Sequence, residues 1–228
     1  MILSYKNKFI FIKSQKTAGT SLEVALSKFC SEKDIITPIM LSENEEFRRK
    51  LGFRGPQNFT LKIKIKEKVE QVSLFNHTPV LLLKKIISKK IFESFFKFTI
   101  VRNPFDQLLS YYFWGIKRYL IKDDFKLFCE QYAKNFFSNE KKIISINNTL
   151  PYDKIIKYEN LRDDLSEVSQ KLKLNENIYD TFKEINLKSE YRKEKKYDII
   201  CNLSKNIILE EASFFFEKFG YNKYVPKN

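Results

Sequence analysis

The chain has little cysteine, and what it has is scattered. Cys30, Cys129 and Cys201 are odd in number and form neither a CxxC pair nor a zinc spacing. That argues against a cysteine-held zinc and fits a reducing compartment. Long apolar runs are missing too: none approaches the roughly 20 residues of a membrane span. The patch "FIFI" near the start is too short for a signal peptide and is followed at once by lysine. The expectation is a cytoplasmic protein with no integral membrane segment, or a domain without its anchor. Repeats, low-complexity tracts and linkers are absent as well. At 228 residues the chain is long enough for one substantial core and short for two, so a single domain over residues 1–228 is expected. Histidine occurs once, as His77, and glycine five times.

What is abundant is positive charge and aromatic surface. The net charge is +14, with 22 Phe and 12 Tyr. An anionic partner is implied: a nucleotide, a polyanionic glycan, nucleic acid or a membrane surface. A Lys-, Ile- and Asn-rich chain poor in glycine is also what an AT-rich genome produces, so charge alone carries little weight.

Along the chain, strand and helix patterns alternate. Phe9 to Lys13 reads as a strand, Ser14 to Gly19 as a polar loop, and a helix opens at Thr20. Asp34 to Ile39 reads as a short strand, "SENEEFRRK" as a short helix, and the surroundings of Gly55 and Pro56 as a loop. A further strand ends near Phe75. A helix then starts with Thr78 as cap and Pro79 in first position. Phe96 to Val101 is an apolar strand, followed by a helix with Asn103 as cap, Pro104 first and Asp106 in its first turn. "YDKIIKY" is the last strand, and "LSKNIILEEASFFFEKFGY" reads as one long closing helix. Such alternation predicts an α/β fold with a central mostly parallel sheet flanked by helices.

In parallel sheets, ligands bind beyond the carboxyl ends of the strands. Three such junctions carry unusual polar residues: Ser14 to Thr20, Asn76 to Thr78, and Arg102–Asn103. One shared edge would bring Lys16, His77 and Arg102 to one site. In the first junction, Lys16, Gly19, Thr20 and Ser21 offer a cation, close backbone approach and two hydroxyls at a helix N-terminus, where unpaired N–H groups favour an anion. The loop is not a Walker A sequence, because the lysine precedes the glycine. A plain N-cap turn is the structural alternative. Arg102 at a strand end suits bidentate phosphate binding, or a salt bridge. Ser110 is a second hydroxyl two turns on, or a small packing residue. A lone histidine is more often structural or incidental than catalytic, but His77 ends a strand before a Thr-Pro helix start and has the chemistry of a general base near neutral pH.

These residues resemble the sulfotransferase family. "SQKTAGTSLE" resembles its 5′-phosphosulfate loop, and "IVRNPFDQLLSYYFW" its 3′-phosphate motif, with Arg and Ser eight residues apart. "DIITPI", "RGPQNF", "FNHTPV" and "KIIKYENL" resemble stretches of small bacterial carbohydrate sulfotransferases related to heparan sulfate 2-O-sulfotransferase. "KSEYRKEKK" is similar to a basic segment near the cofactor in that group. Many relatives have a proline before the loop lysine, where this chain has Gln15. The resemblance implies a P-loop-like three-layer sandwich. It also implies the donor 3′-phosphoadenosine 5′-phosphosulfate (PAPS), a sugar or polysaccharide acceptor and no required metal. Lys16 and His77 would be catalytic. Lys16, Thr17, Ala18, Gly19, Thr20 and Ser21 would bind the 5′ end of the donor, Arg102 and Ser110 its 3′-phosphate, and Arg192 and Lys193 would add positive charge. Tyr111, Tyr112 and Trp114 read as helix core or as acceptor contacts.

Two rival classes share some of these features. A P-loop nucleotide kinase needs a metal-holding Ser/Thr after a lysine and an acidic strand-end partner, and neither is found at good spacing. A basic nucleic-acid-binding protein accounts for charge and aromatics, but no nucleic-acid motif occurs, so no nucleic acid partner is expected.

Overall fold

The structure is a computed structural model, and it describes residues 1–65, 68–118, 120–185 and 197–226. They fall into two compact units. The first comprises Met1–Ser14, Ala18–Val101 and the described residues from Lys142 to Ile185; the second comprises Gln15–Thr17, the described residues of 102–141 and those from Tyr197 on.

The first unit is built on a five-stranded sheet. Its strands are β1 (Ile2–Ser4), β2 (Phe9–Ile12), β3 (Ile35–Ile36), β6 (Phe96–Val101) and β7 (Lys154–Lys157), in the order β3-β1-β2-β6-β7. β2 pairs with β6, and β6 with β7, in parallel. β1 is antiparallel to both β2 and β3, so the sheet is mixed: β3, β2, β6 and β7 run one way and β1 alone runs against them. The physical reason is the short turn at Tyr5 to Lys8. Two strands joined that tightly can pair only antiparallel, and the turn is pinned by Asp34 Oδ1, which accepts from the Tyr5 and Lys6 amides at 2.7 and 3.1 Å.

β4 (Thr60–Ile65) and β5 (Lys68–Ser73) form a separate antiparallel hairpin. The strand expected to end near Phe75 therefore stops at Ser73 and does not join the central sheet. Helices α1 (Gly19–Ser27), α7 (Leu161–Lys171) and α8 (Ile178–Glu184) cover the sheet. Their apolar residues meet Phe9, Phe11, Phe98, Ile100 and Ile156 in one buried cluster. α2 (Ser42–Lys50), α3 (Val80–Ile86) and α4 (Lys89–Ser94) complete this unit's helices between β3 and β6. Thr78 is not the cap of α3. Its Oγ1 accepts from the Phe75 amide and donates to the Phe75 carbonyl, both at 2.7 Å, and closes the turn that carries His77.

In the second unit, α5 (Pro104–Lys117) begins as expected, with Asn103 Oδ1 accepting from the Phe105 amide at 3.0 Å. The 20-residue helix α6 (Phe125–Ile144), most of which lies in this unit, was not foreseen. The long closing helix is also corrected, because it is two helices, α9 (Asn202–Glu211) and α10 (Ser213–Phe219), that break at Ala212. The break lets neighbouring rings in the Phe run find different partners: Phe215 packs on Phe137, and Phe216 on Phe105.

Candidate active site

In the first unit, β2 ends at Ile12, and Lys13 turns inward instead of outward. It is 1% exposed. Its ammonium donates to Glu23 Oε2 at 2.7 Å and to Asn76 Oδ1 at 2.6 Å. Glu23, on α1, is fully buried and is shared with the Met1 ammonium (3.2 Å) and Arg48 (3.7 Å). Burial works to raise the Glu23 carboxyl, but Lys13, the Met1 ammonium and Arg48 outweigh it and hold the group at about 2. Burial lowers Lys13 against the pull of Glu23.

His77 joins this network from the turn after β5. One ring nitrogen, Nδ1, lies 2.9 Å from the Lys13 carbonyl, an acceptor only, so Nδ1 carries the proton. The other, Nε2, lies 3.2 Å from Asn76 Nδ2. The Asn76 amide is oriented by Lys13 on its oxygen, so it too presents N–H to Nε2. Both contacts select the tautomer with a lone pair on Nε2. Burial, and then the Lys13 charge, lowers the His77 pKa to about 3, so the ring is neutral at physiological pH. Gly19 meets the same lysine. A Cβ there would stand 2.8 Å from Lys13 Cγ and 3.3 Å from the Ser14 carbonyl. The glycine thus makes room for the Lys13 stem. Ala18, at φ 62°, caps α1 without a side-chain hydrogen bond, and Thr20 and Ser21 are buried in its first turn.

The second unit holds Lys16, Thr17, Arg102 and Ser110. Lys16 is left-handed at φ 61°, a conformation that costs a residue with a Cβ of order 1–3 kcal/mol. Its carbonyl accepts from Arg102 Nη1 at 3.3 Å, and its ammonium lies 5.0 Å from the centroid of the Trp114 ring, close enough for a cation–π contact. Tyr111 stacks on the same indole. Arg102 also faces Asp106, at 3.9 Å, whose carboxylate accepts from the Tyr197 hydroxyl at 2.7 Å. Arg102 thus touches both the loop and a carboxylate. Thr17 is buried, Ser110 is half-buried on α5, Tyr112 is core, and Tyr111 and Trp114 are half-buried. Next to Lys16, the Gln15 amide and carbonyl are held by Glu140 and Gln107. Burial raises the Glu140 carboxyl to about 8.

The structure thus brings Gly19 and His77 onto Lys13 in one unit, and Arg102 onto the Lys16 peptide in the other. Arg192 and Lys193 lie outside the described residues. Sequence reading missed Lys13, Glu23, Gln107 and Glu140. The available signal was a charged residue ending an apolar strand and a lone acid in an apolar helix. Among the described residues, no group of three or more His, Cys, Asp or Glu could hold a metal ion, and no helix is long and apolar enough to cross a membrane. A family model described as "Sulfotransferase family" matches residues 1–220. No curated protein matches the sequence.

Proposed function

The chain belongs to the sulfotransferase family, and from that premise we propose that it moves a sulfonate group from PAPS to a hydroxyl of a carbohydrate acceptor, with His77 as general base. The fold behind this reading is a P-loop-like sandwich forming one catalytic domain over residues 1–228. The acceptor hydroxyl takes the place of the Asn76 amide at His77 Nε2, which then accepts the hydroxyl proton. The acceptor oxygen bonds to sulfur as the sulfur–oxygen bond to the 5′-phosphate breaks in line, and adenosine 3′,5′-bisphosphate leaves. Lys16 stabilises charge on the leaving oxygen. The loop from Lys16 to Ser21 holds the 5′-phosphate, and Arg102 and Ser110 hold the 3′-phosphate. Arg192 and Lys193 add positive charge for the donor. No metal is needed, because lysine, arginine and backbone N–H groups supply the positive potential.

The observation that carries this reading is the His77 tautomer. A main-chain carbonyl on Nδ1 leaves Nε2 unprotonated, the state a base must be in before it acts. The test is His77→Ala with donor affinity measured alongside turnover. Turnover is expected to fall roughly 10²- to 10⁴-fold, while the affinity for adenosine 3′,5′-bisphosphate stays near wild type. Joint loss of affinity and thermal stability would mark His77 as structural. Wild-type turnover would remove it from the mechanism.

A further inference from the structure

Two buried polar side chains are spent on one residue that carries no chemistry of its own. Gln15 donates its peptide N–H to both oxygens of Glu140, at 3.2 and 3.0 Å. Its carbonyl accepts from Gln107 Nε2 at 2.7 Å. Gln107 Nε2 also donates to Glu140 Oε2 at 3.0 Å, which closes the ring of contacts. Gln107 is 2% exposed and Glu140 is fully buried. A carboxyl group with no cation among these contacts is unfavourable to bury, so its placement calls for a reason.

The next residue supplies one. Lys16 sits in the left-handed region, from which a residue with a Cβ relaxes when its neighbouring peptides are free to rotate. Neither is free. Gln107 holds the carbonyl of the peptide before the Lys16 Cα, and Arg102 Nη1 holds the carbonyl of the peptide after it. Glu140 fixes the amide one residue earlier. Both backbone torsions of Lys16 are thereby set from outside the loop.

We propose that Glu140 and Gln107 are positioning residues for Lys16, gripping Gln15 so that Lys16 keeps the strained turn from which its ammonium acts. The inference rests on the reading of Lys16 as the residue that stabilises the leaving oxygen. It assigns the grip to α5 and α6 side chains outside the loop sequence. A small displacement of a charge-stabilising group is enough to slow a reaction roughly 10²-fold, so the grip is visible in kinetics.

The test is a double-mutant cycle read in two ways. In otherwise wild-type protein, Glu140→Ala and Gln107→Ala each lower kcat roughly 10²-fold. In a Lys16→Ala background the same changes have almost no further effect, because the group they position is gone. Glu140→Gln keeps an oxygen for the Gln15 amide and restores most of the rate. Equal fold-losses in both backgrounds would overturn the proposal in favour of a general packing role.

The second readout needs no turnover. Trp114 is the chain's one tryptophan, and the Lys16 ammonium lies over its ring. Glu140→Ala should move the tryptophan emission in the direction that Lys16→Met moves it, and add nothing in the double variant. Emission that stays at the wild-type value in Glu140→Ala while Lys16→Met shifts it would also overturn the grip. If Glu140→Ala does not fold, Gln107→Ala carries both measurements. A wild-type chain that transfers no sulfonate from PAPS to any of a panel of saccharides would count against the functional reading. The emission cycle would then decide the grip on its own.

Discussion

His77 is neutral because of where its ring sits. Burial and the neighbouring Lys13 charge disfavour the imidazolium and bring the pKa down from 6.5 to about 3. Between those values the unfolded chain binds a proton that the folded chain does not. Stability therefore rises with pH across this window and is lost as pH falls through it toward 3. Thermal melts from pH 6.5 down to about 4 should show a steeper loss for wild type than for His77→Gln. The same shift alters the pH–rate profile expected from an ordinary histidine. The acid limb of kcat/KM, which reports the free enzyme, should lie near 3. The limb of kcat should lie higher, since a bound donor anion favours the imidazolium. A kcat/KM limb at the unperturbed value would contradict the buried, Lys13-facing ring.

At the scale of elements, the start of α1 depends on a residue in the preceding strand–loop junction. Gly19 lacks the Cβ that would meet Lys13 Cγ at 2.8 Å. The Lys13 stem cannot yield easily, because its ammonium is tied to Glu23 and Asn76. Gly19→Ala should cost about 1–3 kcal/mol in denaturant unfolding. Most of that cost should vanish when Lys13→Ala is made in the same chain. Additive costs would mean that the clash is relieved by backbone movement. The element also shows where sequence reading falls short. "SQKTAGTSLE" announces a strand–loop–helix turn, yet Gly19 reads there as a close approach to an anion. Its neighbour is in fact Lys13, a contact that exists only once the strand and α1 are folded against each other.

For the molecule as a whole, net charge and family membership point to an anionic ligand, and the identity of that ligand separates the candidate functions. Adenosine 3′,5′-bisphosphate at a hundred times its Kd should stabilise the fold by about 2.7 kcal/mol, a rise of roughly 5–10 °C in Tm for a chain of this size. ATP with magnesium, or an oligonucleotide, should shift Tm far less. A larger shift with ATP and magnesium would favour a phosphotransferase, and one with the oligonucleotide a nucleic-acid binder.

The sequence by itself determined the local features whose causes are local. The Phe9, Phe96 and Lys154 strands follow from short β-branched and aromatic runs, and the start of α5 from Asn103 and Pro104. The loop and Arg/Ser motifs were enough to indicate the family that the match over residues 1–220 shows. Tertiary structure decided what depends on partners distant in sequence. The three-residue strand β1 is too short to carry a periodic signal, and it alone makes a mostly parallel sheet a mixed one. The hairpin of β4 and β5 removed the strand before His77 from the sheet, although His77 still reaches the end of β2 through the Lys13 carbonyl. Lys13, Glu23, Gln107 and Glu140 read as ordinary polar residues along the chain. Burial makes each of them depend on a specific partner, since a buried polar group is stable only when it is paired, and only the folded chain supplies that partner.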